Sequence, residues 1–253
     1  IPAFQRNYSP DDASCRSRIA KSSPFHCAPP IPHVPFSTQS NRGTTNDMDM
    51  YKQQRELKRH WRAAAIERRK RTSADQRREA GRLLAEHALE ASLIRPRSTV
   101  AAFASMGSEI SMMPLLEAMF DTDCRVLVPR LGAGTEVGWS ELNGLDDLRD
   151  QRNADGSINT HRPQEPENAA EGPEVLTSAE LIIVPAFAVD EHGFRLGRGG
   201  GWYDRALEHR SSTARVVAVC WPWEPTDETV PHEPHDIPVD GVLTPDGYAD
   251  VRG

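Results

Sequence analysis

Leu181-Ile182-Ile183-Val184-Pro185-Ala186-Phe187-Ala188-Val189-Asp190-Glu191-His192-Gly193-Phe194-Arg195-Leu196-Gly197-Arg198-Gly199-Gly200-Gly201-Trp202-Tyr203-Asp204-Arg205-Ala206-Leu207 runs from four apolar residues into a glycine-dense loop and then into a helical pattern. A short apolar run bounded by turn residues is how a strand covered on both faces reads, so 181–184 predicts an inner strand of a largely parallel sheet. Residues 216–219 repeat the pattern, and strands expected at 99–103 and 125–128 flank a helix expected at 114–120. Residues 137–142 are a further candidate strand, followed by a polar stretch over 149–178 whose length suggests a functional loop. Strands alternating with helices specify the α/β class: a single domain with a mixed or largely parallel sheet flanked by helices.

Upstream, Leu57, Trp61, Ala64, Ala65 and Arg68 recur at three- and four-residue steps, which predicts a first helix over 52–71. Ser73 and Gln76 form a capping-box pattern opening a second helix with Ala80, Leu83, Leu84, His87, Ala88 and Ala91 on one face, expected to end near Pro96. Residues 1–47 hold 7 of the 20 prolines and show no period. We therefore expect a disordered extension over 1–50, with Met48 or Met50 as a possible start, before a domain at 51–253.

The 253 residues are 38% hydrophobic, enough for one sizeable core. No stretch approaches the roughly 20 apolar residues of a membrane span, and there is no apolar run of a secretory signal. The expectation is a cytoplasmic protein with no membrane partner. Cys15, Cys27, Cys124 and Cys220 are widely spaced with no C-x-x-C pair, which points to reduced thiols rather than a zinc site. Charge is uneven: residues 51–82 carry 12 basic against 4 acidic side chains (+8), and residues 83–253 carry 13 against 29 (−16). A basic segment on an acidic body points to an anionic partner.

The glycine loop is where such a partner fits. Glycines let backbone N–H groups converge, the helix start adds its positive end, and Arg195 and Arg198 add guanidinium donors suited to phosphate oxygens. Asp204, directly after the loop, suits Mg²⁺ bridging phosphates, since that ion takes one or two carboxylates. The loop is neither a G-x-x-x-x-G-K-[ST] phosphate loop nor a dinucleotide fingerprint, because Gly197-x-Gly199-x-Gly201 is followed by Trp-Tyr-Asp.

Residues 195–205 resemble the signature loop of 5-formyltetrahydrofolate cyclo-ligases, also called methenyltetrahydrofolate synthetases. Three more stretches agree in order: Lys58-Arg59-His60-Trp61-Arg62 with the family's basic helix, Phe103-Ala104-Ser105-Met106-Gly107-Ser108-Glu109-Ile110 with its folate-contacting strand end, and His235-Asp236-Ile237-Pro238-Val239-Asp240 with its C-terminal acidic motif. The resemblance spans about 52–246. It departs at Trp202, where a smaller aromatic is usual, at Ile66, often basic, and at Pro225, often glutamine.

The resemblance implies conversion of 5-formyltetrahydrofolate to 5,10-methenyltetrahydrofolate with ATP cleaved to ADP and phosphate, and Mg²⁺ as cofactor. It implies that Lys58, Arg59, Arg62, Arg195, Leu196, Gly197, Arg198, Gly199, Gly200, Gly201, Trp202 and Tyr203 contact ATP, with Arg198 catalytic. It places Ala104, Glu109, Arg198 and Trp202 at the folate and gives the metal to Asp204 and Asp236. Trp139 and Glu165-Pro166 fall in regions that border the folate in similar proteins. The expected partner is thus a small folate, with no nucleic acid, and the protein a monomer. Two alternatives remain on sequence: an ATP-dependent relative acting on another small acid, and an RNA-binding module using the Arg-rich helices, the latter opposed by the −16 body and the lack of a nucleic-acid motif.

Overall fold

The computed structural model describes residues 46–131 and 137–251. The disordered extension expected over 1–50 lies outside the described residues up to residue 45, with 46–50 forming the start of the first helix. The chain runs α1 (Asn46–Arg69), α2 (Ala74–Glu90), β1 (Thr99–Ala101), α3 (Met113–Asp121), β2 (Arg125–Leu131), β3 (Val137–Leu142), β4 (Leu148–Arg149), β5 (Glu165–Pro166), β6 (Leu181–Pro185), β7 (Ala188–Asp190), β8 (Arg195–Leu196), α4 (Trp202–Leu207), β9 (Arg215–Val219), β10 (Pro225–Thr226), β11 (Gly241–Thr244) and β12 (Gly247–Asp250).

Seven strands form the main sheet in the order β12-β11-β9-β6-β1-β2-β3. The neighbours from β11 to β2 pair in parallel, and β12 and β3 close the edges as antiparallel hairpin partners. The inner strands are apolar on both faces, and successive side chains alternate sides: Val100, Leu181, Ile183, Val217 and Val219 face α2 and α3, whereas Ala101, Ile182, Val184, Val216 and Ala218 face α4 and the 3-10 turn Pro173–Ser178. The mixed, largely parallel sheet flanked by helices is therefore present as expected.

The capping box is also present: Gln76 N–H donates to Ser73 Oγ at 3.1 Å and Ser73 N–H to Gln76 Oε1 at 2.7 Å. α2 stops at Glu90, short of Pro96, because the chain turns through Ser92 at φ 54° and Leu93 N–H bonds back to Ala88 O. The polar stretch 149–178 is mostly irregular, with β5 folded back on β4. No described helix is long and apolar enough to cross a membrane.

A small sheet, β10-β7-β8, sits beside the large one, and α1 covers it, with Trp61, Phe187, Ala188, Leu196 and Val230 buried between them. Asp190, 1% exposed, fastens this unit: its carboxylate accepts from the backbone N–H groups of His192 (3.0 Å), Phe194 (2.9 Å) and Val230 (2.9 Å). The inner face of α1 differs from the expected one at its end, where Arg69 is buried at 3% and Arg68 is exposed.

Candidate active site

From β1 the chain adds β2 on one side and later β6 on the other, so the two leave a crevice at their C-terminal ends. Open α/β sheets bind ligands at such a reversal. The loop after β1 carries Ala104 and Glu109, and the segment after β6 carries β7, β8 and the glycine loop.

Glu109 was expected at a strand end, but β1 stops at Ala101 and Glu109 stands in the loop beyond it. That loop is closed on its own side chain: Glu109 Oε2 accepts from Met106 N–H at 2.9 Å, Glu109 N–H donates to Met106 O at 3.2 Å, and Gly107 supplies the left-handed turn at φ 61°. The other oxygen, Oε1, accepts from Arg198 Nη2 at 2.9 Å. This ion pair, 7% exposed on the carboxylate and 49% on the guanidinium, spans the crevice from the β1 loop to the glycine loop. Ala104 is buried against the main core at 4%.

The glycine loop leaves β8 and turns through Gly199 (φ 97°) and Gly201 (φ 61°). A Cβ at Gly199 would lie 3.0 Å from Arg62 Cζ, so the helix arginine rests on bare backbone. Arg62 Nε also donates to Gly197 O at 2.7 Å, and burial lowers the Arg62 pKa against the charge of Asp236. Lys58, one turn earlier on the same helix face, lies 3.4 Å from Asp236 Oδ2 and 3.5 Å from Glu233 Oε1. Arg59 is exposed. Arg205 Nη1 donates to Gly200 O at 3.0 Å.

The Arg195 side chain is 4% exposed; it donates to Asp204 Oδ1 at 2.7 Å and to the Ile237 carbonyl. Ile237 N–H also reaches Asp204 Oδ1 at 3.4 Å, which brings Asp204 beside the segment holding Asp236. Arg195 is thus the tie between the two acidic segments rather than an open cation. Leu196 is buried at 2% beneath α1, leaving only its backbone for a ligand. Trp202 and Tyr203 are partly buried; Trp202 packs against Trp139 at 5.3 Å, and burial, reinforced by the charge of Glu109, pushes the Tyr203 phenol up. Trp139 itself is fully buried in the core.

Asp204 and Asp236, the acids expected to hold a metal, lie on neighbouring segments, and each is paired with a cation, Asp204 with Arg195 and Asp236 with Lys58. Among the described residues no three metal-ligating side chains converge, and Mg²⁺ needs only one or two carboxylates when water and phosphate supply the rest. The basic surplus of 51–82 is partly neutralised within its own helices, by Asp75–Arg78, Glu79–Arg82, Arg82–Glu86 and Glu67–Lys70 pairs.

Sequence reasoning missed a second layer beneath the crevice. Arg69 donates through Nε to Glu224 Oε1 at 2.6 Å and through Nη2 to Glu224 Oε2 at 2.7 Å and to the Ala186 carbonyl, and it lies 4.3 Å over the Phe187 ring. Burial works against its charge, but Glu224, with Glu109 adding, more than offsets this and raises its pKa. In the sequence Arg69 is one of a run of arginines, and its partner lies 155 residues away. Arg69, Phe103, Glu109, Ile110, Pro185, Val219 and Cys220 line a small cavity at the floor of the crevice.

A model of the 5-formyltetrahydrofolate cyclo-ligase family matches residues 54–245. The 5-formyltetrahydrofolate cyclo-ligase of Mycolicibacterium smegmatis is 37% identical over 152 residues, covering 58% of this chain and 73% of that protein. That of Escherichia coli K12 is 28% identical over 183 residues, covering 71% and 95%. Among solved structures, the 5,10-methenyltetrahydrofolate synthetase of Aquifex aeolicus superposes with a TM-score of 0.60 at 24% identity, covering 78% of this chain and 94% of that one. The Mycoplasma pneumoniae enzyme of that name gives 0.55 at 16%, covering 74% and 98%. At those identities the structural likeness is one of fold.

Proposed function

The chain belongs to the 5-formyltetrahydrofolate cyclo-ligase family, and from that premise we propose that it converts 5-formyltetrahydrofolate to 5,10-methenyltetrahydrofolate while ATP is cleaved to ADP and phosphate. The observation that carries this reading is the Arg198–Glu109 ion pair, which joins the glycine loop to the loop after β1 across the crevice.

The formyl oxygen is a poor leaving group, so ring closure alone stalls at loss of that oxygen. Attack of the formyl oxygen on the γ-phosphorus, with the bond to ADP breaking, turns it into a phosphate ester. The neighbouring folate nitrogen then attacks the formyl carbon and gives up its proton, and phosphate departs with the oxygen. Such a reaction asks the protein for positioning and charge neutralisation. Arg198 leaves Glu109 to steady the transferring phosphoryl group, and Glu109, freed of its partner, accepts hydrogen bonds from the folate. Lys58 and Arg62 turn from Asp236 and Gly197 to phosphate oxygens, and the N–H groups of 197–201 line the triphosphate. Asp204 and Asp236 would hold Mg²⁺, which supplies charge neutralisation across the phosphates.

The test mixes protein, Mg·ATP and 5-formyltetrahydrofolate and follows the methenyl product by near-ultraviolet absorbance alongside phosphate release. Equal amounts of both are expected, with Arg198→Ala and Asp204→Asn abolishing turnover in folded protein. ATP cleavage without methenyl product would overturn the substrate, and near-normal rates in both variants would overturn the residue roles.

A further inference from the structure

The Arg69–Glu224 pair has both partners at or below 4% exposure. A buried ion pair is a poor source of stability, because the cost of drying both charges about cancels their attraction and apolar residues of similar volume often serve as well. What the pair does supply is geometry. Arg69 grips the Ala186 carbonyl and stacks 4.3 Å over Phe187, and the Arg198 guanidinium lies 5.7 Å over that same ring. Phe187 N–H is itself fixed to Leu196 O at 2.7 Å. Arg198 stands on a loop of glycines, with its guanidinium held by Glu109 and by this aromatic face. When a ligand takes Glu109, the ring is the tether that stays.

We propose that Arg69 is a positioning residue: through Phe187 and the Ala186 carbonyl it fixes the surface on which Arg198 lies while Arg198 exchanges Glu109 for the reacting phosphoryl group. This deepens the activity proposed above and rests on it for its kinetic arm; a second readout does not.

The experiment compares the wild type with Arg69→Met/Glu224→Leu, which removes both charges so that neither is stranded, with Phe187→Leu, which keeps the ion pair, and with the triple variant. Thermal unfolding, kcat and KM for Mg·ATP, and the rate of phenylglyoxal modification of Arg198 mapped by mass spectrometry are measured on each. Both variants should fall about tenfold or more in kcat with KM changed less than about threefold. The triple variant should be no worse than either, and Arg198 should be modified faster in all three. Wild-type kcat, or a lower kcat with Arg198 modified at the wild-type rate, would overturn the proposal. If one variant fails to fold, the other decides. If the wild type itself gives no methenyl product, the substrate reading fails and the Arg198 modification rate alone decides the positioning role.

Discussion

Gly81 tests whether the helical scaffold sets the active-site loop. It is buried in α2, and a Cβ there would lie 2.1 Å from the Ser111 carbonyl oxygen and 3.1 Å from its carbon. Ser111 N–H also donates to Arg77 O at 3.1 Å, so the loop is pinned to the helix where the methyl would enter. Relief requires the backbone to retreat by on the order of 1 Å to reach ordinary contact. Helix propensity alone favours Gly81→Ala by about 1 kcal/mol. Overpacking costs about 1–3 kcal/mol, so the two leave a net loss of roughly 0–2 kcal/mol, or a fall in Tm of about 0–8 °C. Glu109 is two residues from Ser111, and a displacement of this size at a reacting centre costs up to about 100-fold in rate. The signature is therefore a modest change in the urea or thermal unfolding curve together with a 10- to 100-fold fall in kcat/KM for the formyl substrate. A variant more stable than the wild type and fully active would refute the argument, since it would mean that the loop yields without moving Glu109.

Gly199→Ala places a side chain at φ 97° and 3.0 Å from Arg62 Cζ; steady-state kinetics should show kcat/KM for Mg·ATP down by about 10-fold or more, and urea unfolding a loss of about 1–3 kcal/mol from the strained backbone. Asp190→Asn leaves two acceptor oxygens' worth of backbone donors to one amide oxygen, and urea unfolding should record a loss of about 1–3 kcal/mol. Cys124 and Cys220 are buried free thiols, and burial, reinforced by the charge of Glu224, raises the Cys220 pKa well above its ordinary value. Iodoacetamide mapping at neutral pH should leave both unlabelled in folded protein and label both in urea.

Local chemistry made the inner strands, the capping box and the glycine loop readable, because each is decided within a few residues. The apolar run 181–184 is β6 extended by one residue, and residues 202–207 are helical as expected. What sequence alone left open are quantities fixed at long range. Whether β1 sits between β2 and β6 depends on pairing across the sheet, and no residue of β1 records its neighbours. Glu109 reads as a strand end because 100–104 is apolar throughout, yet β1 stops at Ala101, its last bond to β2 runs from Ala102 N–H to Leu127 O, and the chain then turns. Arg68 and Arg69 are indistinguishable by type; one stays exposed and the other is buried against Glu224, which lies 155 residues further along the chain.

The crevice also orders events in time. Lys58 meets Asp236 across 178 residues and Arg69 meets Glu224 across 155, so these two cations of the first helix find their carboxylates only when the chain beyond β9 has been delivered. Closing loops of that span is slow and goes unrewarded until the intervening sheet exists. A nascent chain that has built β1, β2 and β6 has a sheet but no completed cation clusters, and any ligand that requires them would report on the last stage of folding rather than the first.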